Sequence, residues 1–408
     1  MNSLVKDSKS LSNRFASFWT IYAVFFAGLV LVRAVGPIPS PSRGIIVGVY
    51  LVTVLLFLLK RPHFNALFVS YVLFVIASLI LSSPPSLFQS WPRLLLFILV
   101  LFCVSPIIEN SYIISIRYRI LYYVCIGCVI ISTLSFFAFF LDINYQVDDF
   151  GDALEYADRY GSFGGFTTHS MRLAPISGYA CVFLFYIAME LKKRSAWILW
   201  FLCFSSLLFA ASRVALGAII GATIIQVLTH TTFARSIRIL ALAFLVGSVV
   251  LSNSNILTYR IMGKKESRNE SGIFDSRAFK WNARIEEFKS SPVWGVGFAA
   301  VDPNGRDYYN PINGQVEPGN SWLAVLSMTG LMGFIPFMFI MFGAYKKLKS
   351  LKNSNKVLLA GLFTFVSIHM MAEGYILSAG SFLCVISWLI IGSAYSAEFI
   401  PLFGHKRY

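Results

Sequence analysis

Arg213 stands inside an apolar run from Ser195 to Leu228, where Ser212-Arg213 is the only strongly polar break. A cation is costly in hydrocarbon, so an ionisable residue there is read first as a functional group. A guanidinium presents a planar fork of donors that suits phosphate; otherwise its long stem lets it snorkel to the interface. Glu373 repeats the situation in a run from Val357 to Ala397 that must fold back near Ser378-Ala379-Gly380-Ser381. His369 lies four residues before Glu373, a spacing that puts both on one helix face. The two form either an acid–base or cation-binding couple, or a structural link between helices.

Two polar stretches carry further chemistry. In the first, Ser276-Arg277-x-x-x-Trp281 leads through Lys280 and Arg284 to Ser291-Pro292-x-x-Gly295-x-Gly297-Phe298. The spacing predicts an amphipathic helix over 277–289. Its Arg277, Lys280 and Arg284 are either a solvated face or a cationic platform. In the second, Gly164-Gly165-Phe166-Thr167-Thr168-His169-Ser170-Met171-Arg172 enters an apolar run. That places His169 and Arg172 at a helix N-terminus, an end that favours anions. His169 is either structural or a proton carrier.

The elements that hold these residues belong to an all-α polytopic membrane protein. The chain is 57% hydrophobic and only 13% charged, and many apolar stretches approach the roughly 20 residues that span a bilayer. The first, Phe15–Val32, is too long for a signal peptide and has no small-residue cleavage site after it. About twelve spans are expected: 15–35, 44–59, 64–82, 92–108, 120–141, 172–190, 196–211, 214–228, 237–255, 321–343, 356–375 and 381–397. Together they form a single transmembrane domain over 1–408. Alternate connections collect 19 of the 34 Lys and Arg, among them Lys192–Arg194 and Lys346–Lys356. The positive-inside rule makes that face cytoplasmic, with both termini. The opposite face holds an acidic loop, 142–171, and a long loop, 256–320, with nine basic and eight acidic residues. A loop of that length is functional or disordered; its aromatics and mixed charge favour a small folded cap. Basic clusters at both ends of the Arg213 run require two helices with a turn between them. At about 16 residues each they reach roughly 24 Å, so the turn is sunk below the outer surface.

The net charge of +15 is spread over short loops and forms no basic arm with interleaved aromatics, which excludes nucleic acid as partner. The six Cys all lie in apolar runs, and Cys125-x-x-Cys128 reads as helix filling. No nucleotide fingerprint, carboxylate triplet or metal-ligand spacing is present, so neither metal nor cofactor is expected. A transporter or flippase suits the span count, but paired interrupted spans in two halves are missing.

Taken together, Ala211-Ser212-Arg213, Ser276-Arg277-x-x-x-Trp281, Ser291-Pro292-x-x-Gly295-x-Gly297-Phe298, Asn320-Ser321-Trp322-Leu323 and Thr329-Gly330-Leu331-Met332-Gly333 resemble the O-antigen polymerase/O-antigen ligase superfamily of bacterial membrane glycosyltransferases. Arg284 and Gly295 match its Arg-x10-Gly pattern. The resemblance covers most of 160–390 and implies a GT-C-like architecture in the cytoplasmic (inner) membrane, with the long loops outside. It implies glycosyl transfer from an undecaprenyl-pyrophosphate-linked glycan to a second one, beside flippase and chain-length regulator proteins. The implied catalytic residues are Arg213 and a base, His169 or Glu373. Arg172, Arg277, Lys280, Arg284, Gly295, Asn320 and His369 are the implied substrate contacts. Ligases resemble one another in a His just before the Asn/Ser-x-Leu segment. Here Gly319 stands there, which favours a polymerase of O-antigen, capsule or exopolysaccharide over a ligase acting on lipid A-core. No Arg-x10-Gly begins at Arg159 or Arg172, so the pattern occurs in one outer loop, whereas the family's polymerases are described with two.

Overall fold

The computed structural model describes residues 18–145, 163–230, 275–302 and 316–399. Among these the chain is helical apart from one two-stranded pairing, His63–Phe64 (β1) with Ile108–Glu109 (β2). The helices are α1 (Phe18–Val32), α2 (Arg43–Leu58), α3 (Ala66–Ser82), α4 (Ser90–Val104), α5 (Ser111–Phe140), α6 (Ser170–Met189), α7 (Ser195–Phe209), α8 (Arg213–His230), α9 (Asp275–Ser290), α10 (Ser321–Ser350), α11 (Asn355–His369) and α12 (Phe382–Tyr395). Eleven of these coincide with expected spans, and α9 is the expected loop helix. The expected span 237–255 and most of the acidic loop lie outside the described residues. By length and composition five helical stretches could cross a membrane: Ser86–Val104, α5, α6, α8 and α10; α1, α2, α3, α7, α11 and α12 are apolar but shorter.

Polar side chains set the starts. Asn65, Asn110, His169, Asn320 and Ser381 each accept a backbone N–H of the turn they open, which satisfies donors a helix leaves free. The core gathers on α6 and α12. Trp388 of α12 is fully buried, donates through Nε1 to Ile376 O at 2.9 Å, and is ringed by Phe68, Tyr71, Phe97 and Phe337.

Two structural devices could not be foreseen from sequence. α5 starts at Ser111, before the expected span 120–141, so Arg117 is a helix residue. It is buried, and its guanidinium donates to Cys103 O (2.9 Å), Ile108 O (2.8 Å) and Phe102 O (2.7 Å). It thereby serves two carbonyls that end α4 and one in β2. Arg117→Met orphans these acceptors and is expected to cost about 2–4 kcal/mol, read as a lower thermal midpoint of the detergent-purified protein; an unchanged midpoint refutes the capping role.

The second device is the break in α10 at Gly330 (φ 60°, ψ −167°). The break frees backbone groups that the 291–298 turn takes up. Val296 N donates to Ser327 O and Gly297 N to Met328 O, while Leu331 N and Met332 N donate to Pro292 O and Val293 O. A Cβ on Gly330 would sit 2.2 Å from Val293 O, and one on Gly295 2.6 Å from Ser327 O. The two glycine motifs are therefore the two sides of one backbone interlock. Ser78 and Ser82 of α3 fasten it, donating to Met328 O and Gly295 O.

Candidate functional site

α9 lies against the start of α10 and against the segment Met370–Ser381 that joins α11 to α12. At that junction Arg277 Nη2 meets Glu373 Oε1 at 2.6 Å. Their side chains are 22% and 14% exposed, so the pair is reachable but mostly desolvated. One turn along α9, Lys280 pairs with Glu317 at 2.8 Å. Trp281 Nε1 donates to Gly319 O at 3.3 Å and holds α9 on the chain entering α10.

The joining segment is not helical at Glu373. α11 ends at His369, so the expected shared helix face of His369 and Glu373 does not exist. Ser321 gives the physical reason. Its hydroxyl donates to Glu373 O (2.6 Å) and accepts from Tyr375 N (3.0 Å) and Ile376 N (3.3 Å), using its full bonding capacity. Asn320 adds a bond from Nδ2 to Met371 O at 2.7 Å, while its Oδ1 caps α10. Gly374 lies directly on Pro318 and Gly319. The α10 start thus replaces the helical hydrogen bonds that the joining segment gives up. It turns Glu373 toward Arg277 and His369 inward. His369 is 1% exposed, stacks on Phe365 and bonds Tyr375 through Nδ1 at 3.2 Å.

Burial raises the Glu373 carboxyl above the ordinary range, with Glu317 adding to the rise and Arg277 and Lys280 opposing it. Among the described residues no hydrogen bond engages Glu373 Oε2. One oxygen is therefore fixed by a cation while the other is available to a hydroxyl.

The remaining expected site residues are dispersed. α8 runs antiparallel to α11, with Gly221 against Ile368 and Gly361 against Gln226. That register carries Arg213, the first residue of α8, past the end of α11 to the level of the Glu373 segment. Ala211 takes a left-handed φ of 52° and Ser212 caps α8, so the long apolar run does break into two helices. Arg213 is half-buried; among the described residues no hydrogen bond or ion pair holds its guanidinium. Arg284 is fully buried and pairs with Glu287 at 2.8 Å, whose carboxylate also accepts from Asp302 N. Burial lowers the Arg284 proton affinity and raises that of Glu287. Gly295 belongs to the backbone interlock. His169 Nδ1 accepts from Met171 N at 3.0 Å, so a neutral ring carries its proton on Nε2 and offers no second acceptor. Arg172 donates to Arg33 O at 2.8 Å.

Ser321, Glu317, Trp281 and Tyr375 were not singled out in sequence for these roles. Ser321 had a signal, since it follows the N-cap Asn of Asn320-Ser321-Trp322-Leu323. The others gain their partners only across elements.

Residues 179–338 match the family model described as O-Antigen ligase. The superfamily resemblance read from the motifs holds over that stretch, which contains Arg213, Arg277, Arg284, Gly295 and Asn320 but neither Glu373 nor His169. No curated protein matches the chain.

Proposed function

From its place in the O-antigen polymerase/O-antigen ligase superfamily, we propose that the chain polymerises undecaprenyl-pyrophosphate-linked oligosaccharide repeat units for O-antigen, capsule or exopolysaccharide, at the outer face of the bacterial cytoplasmic membrane. The observation that carries the reading is the Arg277–Glu373 pair at the junction of the long loop and the apolar helices. The acceptor hydroxyl gives its proton to Glu373 Oε2 as its oxygen bonds the anomeric carbon. The bond from that carbon to the diphosphate breaks, and the lipid diphosphate leaves with the electron pair. Arg277, with Lys280 beside it and Arg213 at the same level, offsets the charge that grows on the leaving group, where fixed donors contribute most. Glu373 is the better base of the two candidates because His169 spends its acceptor nitrogen on a helix cap.

The description of the matched family favours a second reading, a ligase that transfers finished glycan to lipid A-core. The geometry at Gly319 speaks against it. Its φ is +70° and a Cβ there would sit 2.9 Å from the Lys280 side chain, so the position that holds a His in ligases is fitted to glycine. Flippase and chain-length regulator proteins are the partners this reading implies. Deleting the gene and resolving surface polysaccharide on a gel separates the two readings. Single repeat units on the acceptor are expected; full-length polymer left unattached establishes the ligase instead.

A further inference from the structure

A second cationic group lies away from Glu373. Arg33 follows α1, Arg43 opens α2, Arg93 is in the first turn of α4 and Arg172 in the first turn of α6. The elements draw these ends together. Gly36 N donates to Phe166 O and Thr168 N to Ala34 O, so the chain leaving α1 is stitched to the chain entering α6. Arg172 Nη1 donates to Arg33 O. α2 packs on α4. Arg43 is within electrostatic reach of both Arg33 and Arg93, and Arg33 of Arg172.

Among the described residues the arrangement is electrostatically unfavourable. Like charges act on one another pairwise, and three of the four sit where the helix dipole is already positive. The first turns of α2, α4 and α6 contain no acidic residue. Arg33 is partly buried; its Nη1 is enclosed and, among the described residues, has no hydrogen-bond acceptor. Such a donor costs free energy until something accepts from it. Burial and the Arg43 charge both work against the protonated Arg33. A phosphate-bearing group would reverse each of these terms at once, by accepting from guanidinium forks and neutralising helix N-termini.

The location matters for chemistry. A Cβ on Gly380 would lie 3.8 Å from Arg33 Nη2. The segment that presents Glu373 near its start therefore reaches the arginines at its end.

We propose that Arg33, Arg43, Arg93 and Arg172 form a second anion site, which holds the diphosphate of one lipid-linked substrate while the Arg277–Glu373 side holds the other. The assignment of two substrates rests on the polymerase reading; the anion site itself does not. Polymerisation requires two lipid-bound chains at once, and two cationic groups at the ends of one short segment that carries the base would place their reacting ends together.

The test is direct binding to the full-length protein in detergent, counted by native mass spectrometry with geranylgeranyl diphosphate as probe. Two equivalents are expected. Arg43 and Arg172 have exposed side chains, so R43Q/R172Q is chosen to preserve folding, and its thermal midpoint is checked alongside. It should weaken one equivalent by about tenfold or more, given charged hydrogen bonds of ordinary strength, and leave the other in place. R277Q should weaken the other equivalent only. Phosphatidylglycerol added in excess should not displace the probe; full displacement assigns the arginines to bulk lipid headgroups and overturns the proposal. A single equivalent in the unaltered protein also overturns it. Should the gene deletion contradict a polymerase while R43Q/R172Q still loses its equivalent, the anion site stands and the two-substrate role falls.

Discussion

On the polymerase reading, Glu373→Gln is expected to lower the rate of polymer formation by about 10²–10⁴, the usual range for a lost general base, without lowering the thermal midpoint. Arg277→Met should lower it by about 10²–10³ through loss of transition-state charge stabilisation. Because the two side chains share one ion pair, the double variant should lose far less than the product of the single losses. The pH profile gives an independent readout. Burial raises the folded carboxyl above the ordinary range, so Glu373 is still protonated where a free glutamate, of ordinary pKa about 4.3, is already ionised. The reactive base is gained only as pH rises through the raised value. The acid limb of kcat/KM therefore lies above the ordinary carboxylate range. Arg277→Met removes the principal opposing cation and should move that limb to still higher pH, whereas Arg277→Lys should hold it near its original place. An acid limb that persists unchanged in Glu373→Gln assigns the proton transfer to another group.

The second large effect concerns stability and separates Arg284 from Arg277, two arginines of one helix with similar surroundings in sequence. Arg284 and Glu287 are 0% and 5% exposed. Removing one member of a buried pair strands the other charge and costs about 3–5 kcal/mol. Arg284→Met should accordingly deplete the protein from the membrane and sharply lower its thermal midpoint. Arg284→Met combined with Glu287→Met removes both charges and should recover most of that loss, as buried pairs replaced by apolar residues often do. Restored folding should bring restored polymer. If Arg284→Met instead folds normally and makes no polymer, Arg284 contacts substrate, as the superfamily resemblance implied, and its burial against Glu287 is incidental.

Both predictions show where one-dimensional reading stops. The spacing of Arg277, Lys280 and Arg284 on a helix was legible, and the helix is there. What the spacing could not distinguish is which side of α9 meets α10. The answer puts Arg284 inside with Glu287, leaves Lys280 on Glu317, and gives Arg277 to a carboxylate 96 positions later. The motif glycines behave likewise. Gly295 and Gly330 were visible as turn residues, yet their mutual contact, which makes the pattern one interlock, exists only between distant stretches. For His369 and Glu373 the four-residue spacing was a sound helical inference. It failed because Ser321 and Asn320, from another helix, offer the backbone a better set of partners than one more turn would.

The sequence by itself determined the class of molecule, the positions of eleven apolar helices, the break at Ser212-Arg213 and the superfamily resemblance. Each of these rests on signals local to the chain: hydrophobic length, the signs of charges beside it, capping residues and short ordered motifs. The tertiary structure decided which polar groups face one another. It set Glu373 beside Arg277, turned His369 inward, made Arg117 a cap for a neighbouring helix, and tied Arg172 to the backbone of Arg33. The reason is physical. An apolar run fixes where a helix begins and ends, but the packing of many nearly uniform apolar surfaces fixes how each helix is rotated and at what depth its few charges meet. That information is carried by the contacts of the whole core and by no single segment.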